Sequence, residues 1–275
     1  MRIGIIGTGN MGTVLVETLL DGKAASEEAV AITNRTMEKA RPLLAKYPRL
    51  TYYPTVEELI KNSEVIFLCV KQIDLITILE KYKSLFTPNQ CLISIASTIT
   101  TEQMEKWLPA SCLRLIPSIT NRTLKGTFLL TFGEKCNPDW KTTIWNMFSK
   151  VGNPIEVDDA RVRIAADIAS CGPAFFSYLL QKFIEAAVKQ TAIDEELAST
   201  LGSNMLIGMA RLLEGNYYSL QELQEKVLVK GGITGEGIKV LEEAQVNKTF
   251  EKIFAATEQK FQKDIGEVKK YFQDG

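Results

Sequence analysis

The sequence contains no histidine in 275 residues. That removes imidazole from any acid–base role and from any metal-ligand set. Chemistry must then rest on hydroxyls, lysines, carboxylates, backbone amides or a bound cofactor, and no metal site is expected. No apolar run is long enough to span a bilayer, so no membrane partner is expected. The net charge of −1, with no polybasic block, points away from nucleic acid and from anionic lipid. The five cysteines (Cys69, Cys91, Cys112, Cys136 and Cys171) form no CxxC pair and are odd in number. Buried, reduced thiols are expected rather than a disulfide or zinc framework. A core strand at the very start leaves no room for a signal peptide there, and the expected location is cytoplasmic. A hydrophobic content of 45% and a charged content of 24% are those of an ordinary globular chain, long enough for two domains.

What is present is concentrated in the first twelve residues. Ile3, Ile5 and Ile6 form a short apolar run of strand type, consistent with burial on both faces. Gly7-Thr8-Gly9-Asn10-Met11-Gly12 follows at once, and Thr13 to Leu20 reads as a helix. Strand, G-x-G-x-x-G and helix in that order make the dinucleotide-binding fingerprint. Gly7 permits the tight turn, Gly9 the close approach of a pyrophosphate, and Gly12 close helix packing. The helix N-terminus supplies free N–H groups for the phosphates. The bland alternative is a glycine-rich turn without a ligand.

To about Val157 the chain alternates strand and helix, which predicts a doubly wound sheet of roughly eight strands. The second strand, Ala29–Thr33, ends in Asn34-Arg35-Thr36. An acidic residue at this place grips the ribose hydroxyl of NAD, whereas an arginine accommodates the 2′-phosphate of NADP. Arg35 offers a bidentate fork, with Asn34 and Thr36 as neutral partners, so NADP is expected, with NAD as the alternative. Thr36 reads as the cap of a helix through Ala45. The strand Glu64–Val70 ends in Lys71, at the sheet edge where ligands sit; Lys71 is equally a lysine snorkelling from a strand end.

Beyond Asp158 the strands stop. Ala160 to Gln190 is helical in pattern, with a kink or restart expected at Gly172-Pro173. Phe250, Phe254, Thr257, Phe261, Ile265, Val268 and Phe272 recur in steps of four and three, the mark of an amphipathic helix. Its apolar stripe can pack on its own bundle, form a dimer seam, or both. The expected division is a Rossmann-type domain over residues 1–158 and an all-α domain over 159–275. Between the late helices, Gly231-Gly232-Ile233-Thr234 precedes Gly235 and Gly237. Thr234 stands where an N-cap would, and the N–H groups beside it make an anion site of carboxylate size.

Gly231-Gly-Ile-Thr-Gly-Glu-Gly-Ile-Lys-Val-Leu-Glu242 resembles the signature of pyrroline-5-carboxylate reductase. The opening Ile-Ile-Gly-x-Gly-Asn-Met, Val70-Lys71 and Ser170-Cys-Gly-Pro-Ala174 agree with that family in order and spacing. The resemblance implies a Rossmann domain followed by a helical dimerisation domain, hence a homodimer or higher homo-oligomer. It implies NAD(P)H-dependent reduction of a cyclic imine carboxylate at the subunit interface. It also implies that Thr234 contacts the imine nitrogen, and that Gly232, Ile233 and Thr234 hold the substrate carboxylate.

Four stretches depart from the family pattern. Val229-Lys230 replaces Ser-Pro, Ser118 replaces Asn, Gln72 replaces Pro, and Ser97-Thr98 replaces Ala-Gly. Val229, at the edge of the carboxylate site, cannot donate the hydroxyl that the family's serine provides, so weak binding of pyrroline-5-carboxylate is expected. A diverged late-competence (ComER) branch of the family is a candidate home. Two other functions remain: a catalytically weakened regulator that keeps NADP binding, and a hydroxyacid-dehydrogenase-type enzyme. The second lacks its usual lysine, since none occurs between Ala160 and Lys182.

Overall fold

The computed structural model describes residues 1–273, with the side chains of 272 and 273 outside the description. Eight strands form one sheet: β1 Ile3–Ile6, β2 Val30–Thr33, β3 Thr51–Tyr52, β4 Val65–Leu68, β5 Cys91–Ser94, β6 Ser111–Ile116, β7 Thr127–Phe132 and β8 Asn153–Glu156. The sheet helices are α1 Asn10–Asp21, α2 Arg41–Lys46, α3 Val56–Lys61, α4 Gln72–Tyr82, α5 Thr101–Trp107 and α6 Pro138–Ser149. Later helices are α7 Val162–Ala166, α8 Gly172–Gln190, α9 Glu195–Glu214, α10 Leu220–Val227, α11 Ile233–Glu243 and α12 Val246–Gln273.

The strand order is β3-β2-β1-β4-β5-β6-β7-β8, parallel throughout except for the antiparallel pair β6–β7. Every residue of β1, β2, β4 and β5 is buried, as expected of parallel strands covered on both faces. One face is closed by Leu15, Leu19, Leu43, Ile144 and Phe148, the other by Leu59, Leu75, Leu79 and Met104. Phe148 sits at the centre of the first layer, 4.5 Å from the Phe128 ring and 6.2 Å from the Phe67 ring. This is the α/β Rossmann architecture with an all-α C-terminal region.

By compactness the chain divides into one unit of Met1–Pro173 with Thr257–Gly275, and a second of Ala174–Ala256. The first unit reclaims the end of α12, where Val268 is buried among Leu75, Ile76 and Leu79. The expected stripe on α12 is its less exposed face from Phe250 to Val268, while the Phe272 side chain lies outside the described residues. In the second unit, Phe250 stacks on Phe176 with ring centroids 6.3 Å apart. Much of that unit's apolar surface is uncovered: Phe176, Leu179, Phe183, Leu201, Met205 and Val240 are all exposed.

One local expectation is refined and one is corrected. At Gly172-Pro173 the interruption takes the form of a π-helical turn, Asp167–Cys171, that runs into α8 rather than a break between separate helices. The wide turn absorbs the bond that Pro173 cannot donate. It is held by the buried Asp167 carboxylate, which pairs with Arg163 and accepts from Thr257 Oγ1 at 2.6 Å. Thr36 does not cap a helix with its side chain: a 3-10 turn, Met37–Lys39, follows it, and α2 begins only at Arg41. The Thr36 carbonyl accepts from Asn34 Nδ2 at 2.8 Å and from Lys39 N at 3.1 Å.

Candidate functional site

β1 pairs with β2 on one side and β4 on the other, and the register aligns Ile6 with both Thr33 and Leu68. The three strand ends are therefore level, and the loops leaving them meet at the point where the strand order reverses. In sheets of this kind that point is the ligand crevice. Gly7 adopts φ +98°, and a Cβ there would lie 2.5 Å from the Cys69 carbonyl oxygen. A Cβ on Gly12 would lie 2.0 Å from the Gly7 carbonyl, so α1 can start this close to the turn only with glycine. Gly9 differs: a Cβ there would meet nothing within 4 Å, because it faces the cleft.

Helix α1 begins at Asn10 with no side chain capping it. Its first N–H groups, at Asn10 and Met11, have no partner within the helix and carry the positive end of its dipole. The Thr8 hydroxyl is buried and without a hydrogen-bond partner among the described residues. An open glycine cradle, an uncapped helix start and an orphaned hydroxyl together fit a diphosphate. The cleft beside them has a volume of about 850 Å³, and Gly7, Gly9, Asn34, Arg35, Thr36, Val70 and Lys71 all line it.

The structure assigns these side chains unequal freedom. Asn34 is spent: its Oδ1 accepts from Thr8 N at 3.1 Å while its Nδ2 holds Thr36. It stitches the phosphate turn to the end of β2 and has little left for a ligand. Arg35 projects into solvent, 88% exposed, with its guanidinium 3.6 Å from Asp74. Lys71 is exposed at the start of α4. Sequence reasoning missed the opposite wall, formed by Asp74, Thr77, Ile78 and Lys81 of α4, with Lys39 beyond Arg35. The i, i+3, i+4, i+7 spacing of the α4 residues puts them on one face, but only the fold turns that face to the cleft.

Beyond β6, Ser118 is buried: its N–H donates to Asn121 Oδ1 at 2.6 Å, and its hydroxyl takes part in the local turn with Thr120. Two departures from the family pattern touch one another, since Thr98 Oγ1 donates to Gln72 Oε1 at 2.7 Å. Ser170 donates to the Pro117 carbonyl at 2.8 Å, tying the π-helical turn to the loop after β6. Burial pushes the Cys69 and Cys112 thiols up to about 12, with Glu105 adding to the effect at Cys112. They are packing residues rather than nucleophiles.

In the second unit, Gly231 adopts φ +74°, and Gly232 N donates to the Val229 carbonyl at 2.8 Å. This turn feeds α11, and Gly232 rather than Thr234 is its N-cap. The paired glycines place the cap earlier than Thr234, which is the second residue of the helix and exposed. Ile233 is 91% exposed and Val229 is 69% exposed. The N–H groups of the first turn are bare, with no side-chain cap.

Residues 159–264 match the family described as pyrroline-5-carboxylate reductase dimerisation, and residues 2–98 match that described as NADP oxidoreductase coenzyme F420-dependent. ComE operon protein 4 of Bacillus subtilis (strain 168) is 44% identical over 272 residues, 99% of each chain. Pyrroline-5-carboxylate reductase 3 of the same organism is 27% identical over 262 residues, 95% of this chain and 96% of that one. Among solved structures, Plasmodium falciparum pyrroline carboxylate reductase with NADP bound superposes with a TM-score of 0.84 at 22% identity, covering 97% of this chain and 98% of the other.

Proposed function

The chain belongs to the pyrroline-5-carboxylate reductase family, and from that premise we propose that it is an NADPH-dependent reductase of a cyclic imine carboxylate, 1-pyrroline-5-carboxylate or a close analogue. The observation that carries the reading is the phosphate turn, where Gly7 and Gly12 are sterically obligatory and Gly9 is open to the cleft. The N–H groups of Asn10 and Met11 hold the pyrophosphate, and Arg35, with Thr36 and Lys39 beside it, holds the 2′-phosphate. Val70 and Lys71 line the same cleft. The nicotinamide supplies the hydride.

For the substrate, the N–H groups of Ile233 and Thr234 at the start of α11 bind the carboxylate, behind Gly232 and beside Val229. The Thr234 hydroxyl hydrogen-bonds the imine nitrogen. No histidine is needed, because an imine nitrogen is basic enough to be protonated by water or by a hydrogen-bonded hydroxyl. The exposed apolar faces of the second unit support a homodimer built through residues 159–275. Among the described residues no helix is long and apolar enough to cross a membrane; a cytoplasmic location belongs to the same proposal.

Steady-state oxidation of NADPH with a panel of cyclic imines tests the reading, and saturable turnover with a pyrroline carboxylate is expected. Replacing Arg35 by Ala should weaken NADPH by about 1.5–3 kcal/mol, the scale of a charged hydrogen bond, and leave NADH nearly unchanged. One observation favours a second reading, a competence-associated paralogue that binds NADP with little turnover. Identity to ComE operon protein 4 is 44%, against 27% to the reductase. Tight NADPH binding with no turnover on any imine would select it.

A further inference from the structure

The adenosine end of the cleft contains a carboxylate that an NADP-selective site would be expected to exclude. Among the described residues lining the cleft, Asp74 is the one acid, set against Arg35, Lys39, Lys71 and Lys81. It sits in the first turn of α4, where the helix dipole favours an anion, and its Oδ1 lies 3.6 Å from Arg35 Nη1. The neighbouring polar side chain cannot take over this role, since the Asn34 amide is committed to Thr8 and Thr36. Arg35 is thus offered two anions at one place: a carboxylate already beside it and the 2′-phosphate of a ligand.

We propose that Asp74 is a specificity-determining residue that sets the balance between NADPH and NADH by holding Arg35. This rests on the dinucleotide-binding part of the proposed function. Toward NADPH the carboxylate acts against binding, because it competes for the guanidinium and repels the incoming phosphate. Toward NADH it acts in favour, because a ribose 2′-hydroxyl can donate to it. An acid at the end of the second strand does that service in NAD-selective sites. Here it comes from the opposite wall, and the strand end carries Arg35. The two residues together give a cleft that accepts both cofactors, with a ratio that Asp74 tunes.

Equilibrium titration of the full-length protein with NADPH and NADH, followed by intrinsic fluorescence, tests this without any turnover. Asp74→Asn and Asp74→Ala should each tighten NADPH about two- to tenfold, the scale of an exposed charge pair plus relief of repulsion, and weaken NADH. In an Arg35→Ala background the NADPH gain should shrink, since the arginine is no longer there to be released and only the relief of repulsion remains. A wild-type protein that binds neither nucleotide would remove the parent reading and this inference together. If NADPH binds and responds to Arg35→Ala, three results overturn the inference alone. They are equal shifts of both cofactors on changing Asp74, no shift at all, or a gain that survives undiminished without Arg35.

Discussion

Two glycine-rich turns in this chain each deliver a helix N-terminus, and they are built in opposite ways. In the unit of Met1–Pro173 with Thr257–Gly275, the turn before α1 is enclosed: Gly7 and Gly12 have no room for a side chain, and Thr8 is buried. In the unit of Ala174–Ala256, the turn before α11 is bare: a Cβ on Gly231 would meet nothing within 4 Å, and Ile233 and Val229 are mostly exposed. Of the two proposed anion sites, the first is complete within one unit, because the sheet packs both sides of it. The second has donors but no walls. A turn with donors and no walls holds a carboxylate weakly in water, so the physical requirement is a covering surface, which a second copy of the chain can provide.

The sharpest way to break this contrast is to add one side chain to each of the helices that the two turns deliver. Gly12→Val places atoms where the Gly7 carbonyl already lies, 2.0 Å from even a Cβ. The start of α1 must retreat, and dinucleotide affinity should fall on the order of a hundredfold or more, as read by fluorescence titration. Gly237→Ala, in open space on α11, should instead stabilise the protein by about 0.5–1 kcal/mol in a denaturant titration. Equal tolerance of both changes would mean that the first turn is not sterically closed.

The same contrast extends to the aromatics. Phe148 is fully buried between Phe67 and Phe128, and its replacement by Ala should cost about 3–5 kcal/mol of unfolding free energy. Phe183 is 68% exposed, and Phe183→Ala should change the stability of the isolated chain by less than about 0.5 kcal/mol. Its effect should appear in self-association instead, as a shift toward monomer in sedimentation velocity. A monomeric wild type, or a Phe183→Ala protein that associates as well as wild type, would remove the argument that a second copy covers this face.

What could be read from the chain beforehand was the local chemistry. The strand–turn–helix at Ile3–Asp21 is legible because buried strand, positive-φ glycine and helix start are adjacent in sequence. The alternation through Val157 is legible for the same reason. What could not be read was competition between groups brought together by folding. Thr36 looks like the cap of a helix, yet a short 3-10 turn follows it, with Asn34 and Lys39 both donating to its carbonyl, and α2 starts only at Arg41. Pro173 marks an interruption, but its form, a π turn whose Asp167 is pinned by Arg163 and by Thr257 far along the chain, is set by the fold. Asp74 looks like an ordinary first-turn acid on a surface helix, and only the fold sets it against Arg35. At the second turn, the glycine pair and the exposed N–H groups were legible. The cap was misplaced because Gly231 at positive φ lets the helix begin before Thr234.

The smallest expected effect probes the bare turn itself. Val229 precedes Gly231-Gly232 and accepts the Gly232 N–H through its carbonyl, so its backbone is fixed while its side chain is free. The resemblance to the family puts a serine at this position, whose hydroxyl would add a donor for the proposed substrate carboxylate. Val229→Ser restores that donor without touching the backbone bond. Because the position is 69% exposed, the new hydrogen bond competes with water and should contribute only about 0.5–1.5 kcal/mol, roughly two- to tenfold in affinity. The carboxylate does not change during hydride transfer, so ground and transition states should gain alike. KM for pyrroline-5-carboxylate should fall with kcat unchanged, the signature of uniform binding. A rise in kcat at constant KM would place the serine nearer the reacting atoms than this reading allows. Unaltered kinetics would mean that α11 does not face the carboxylate.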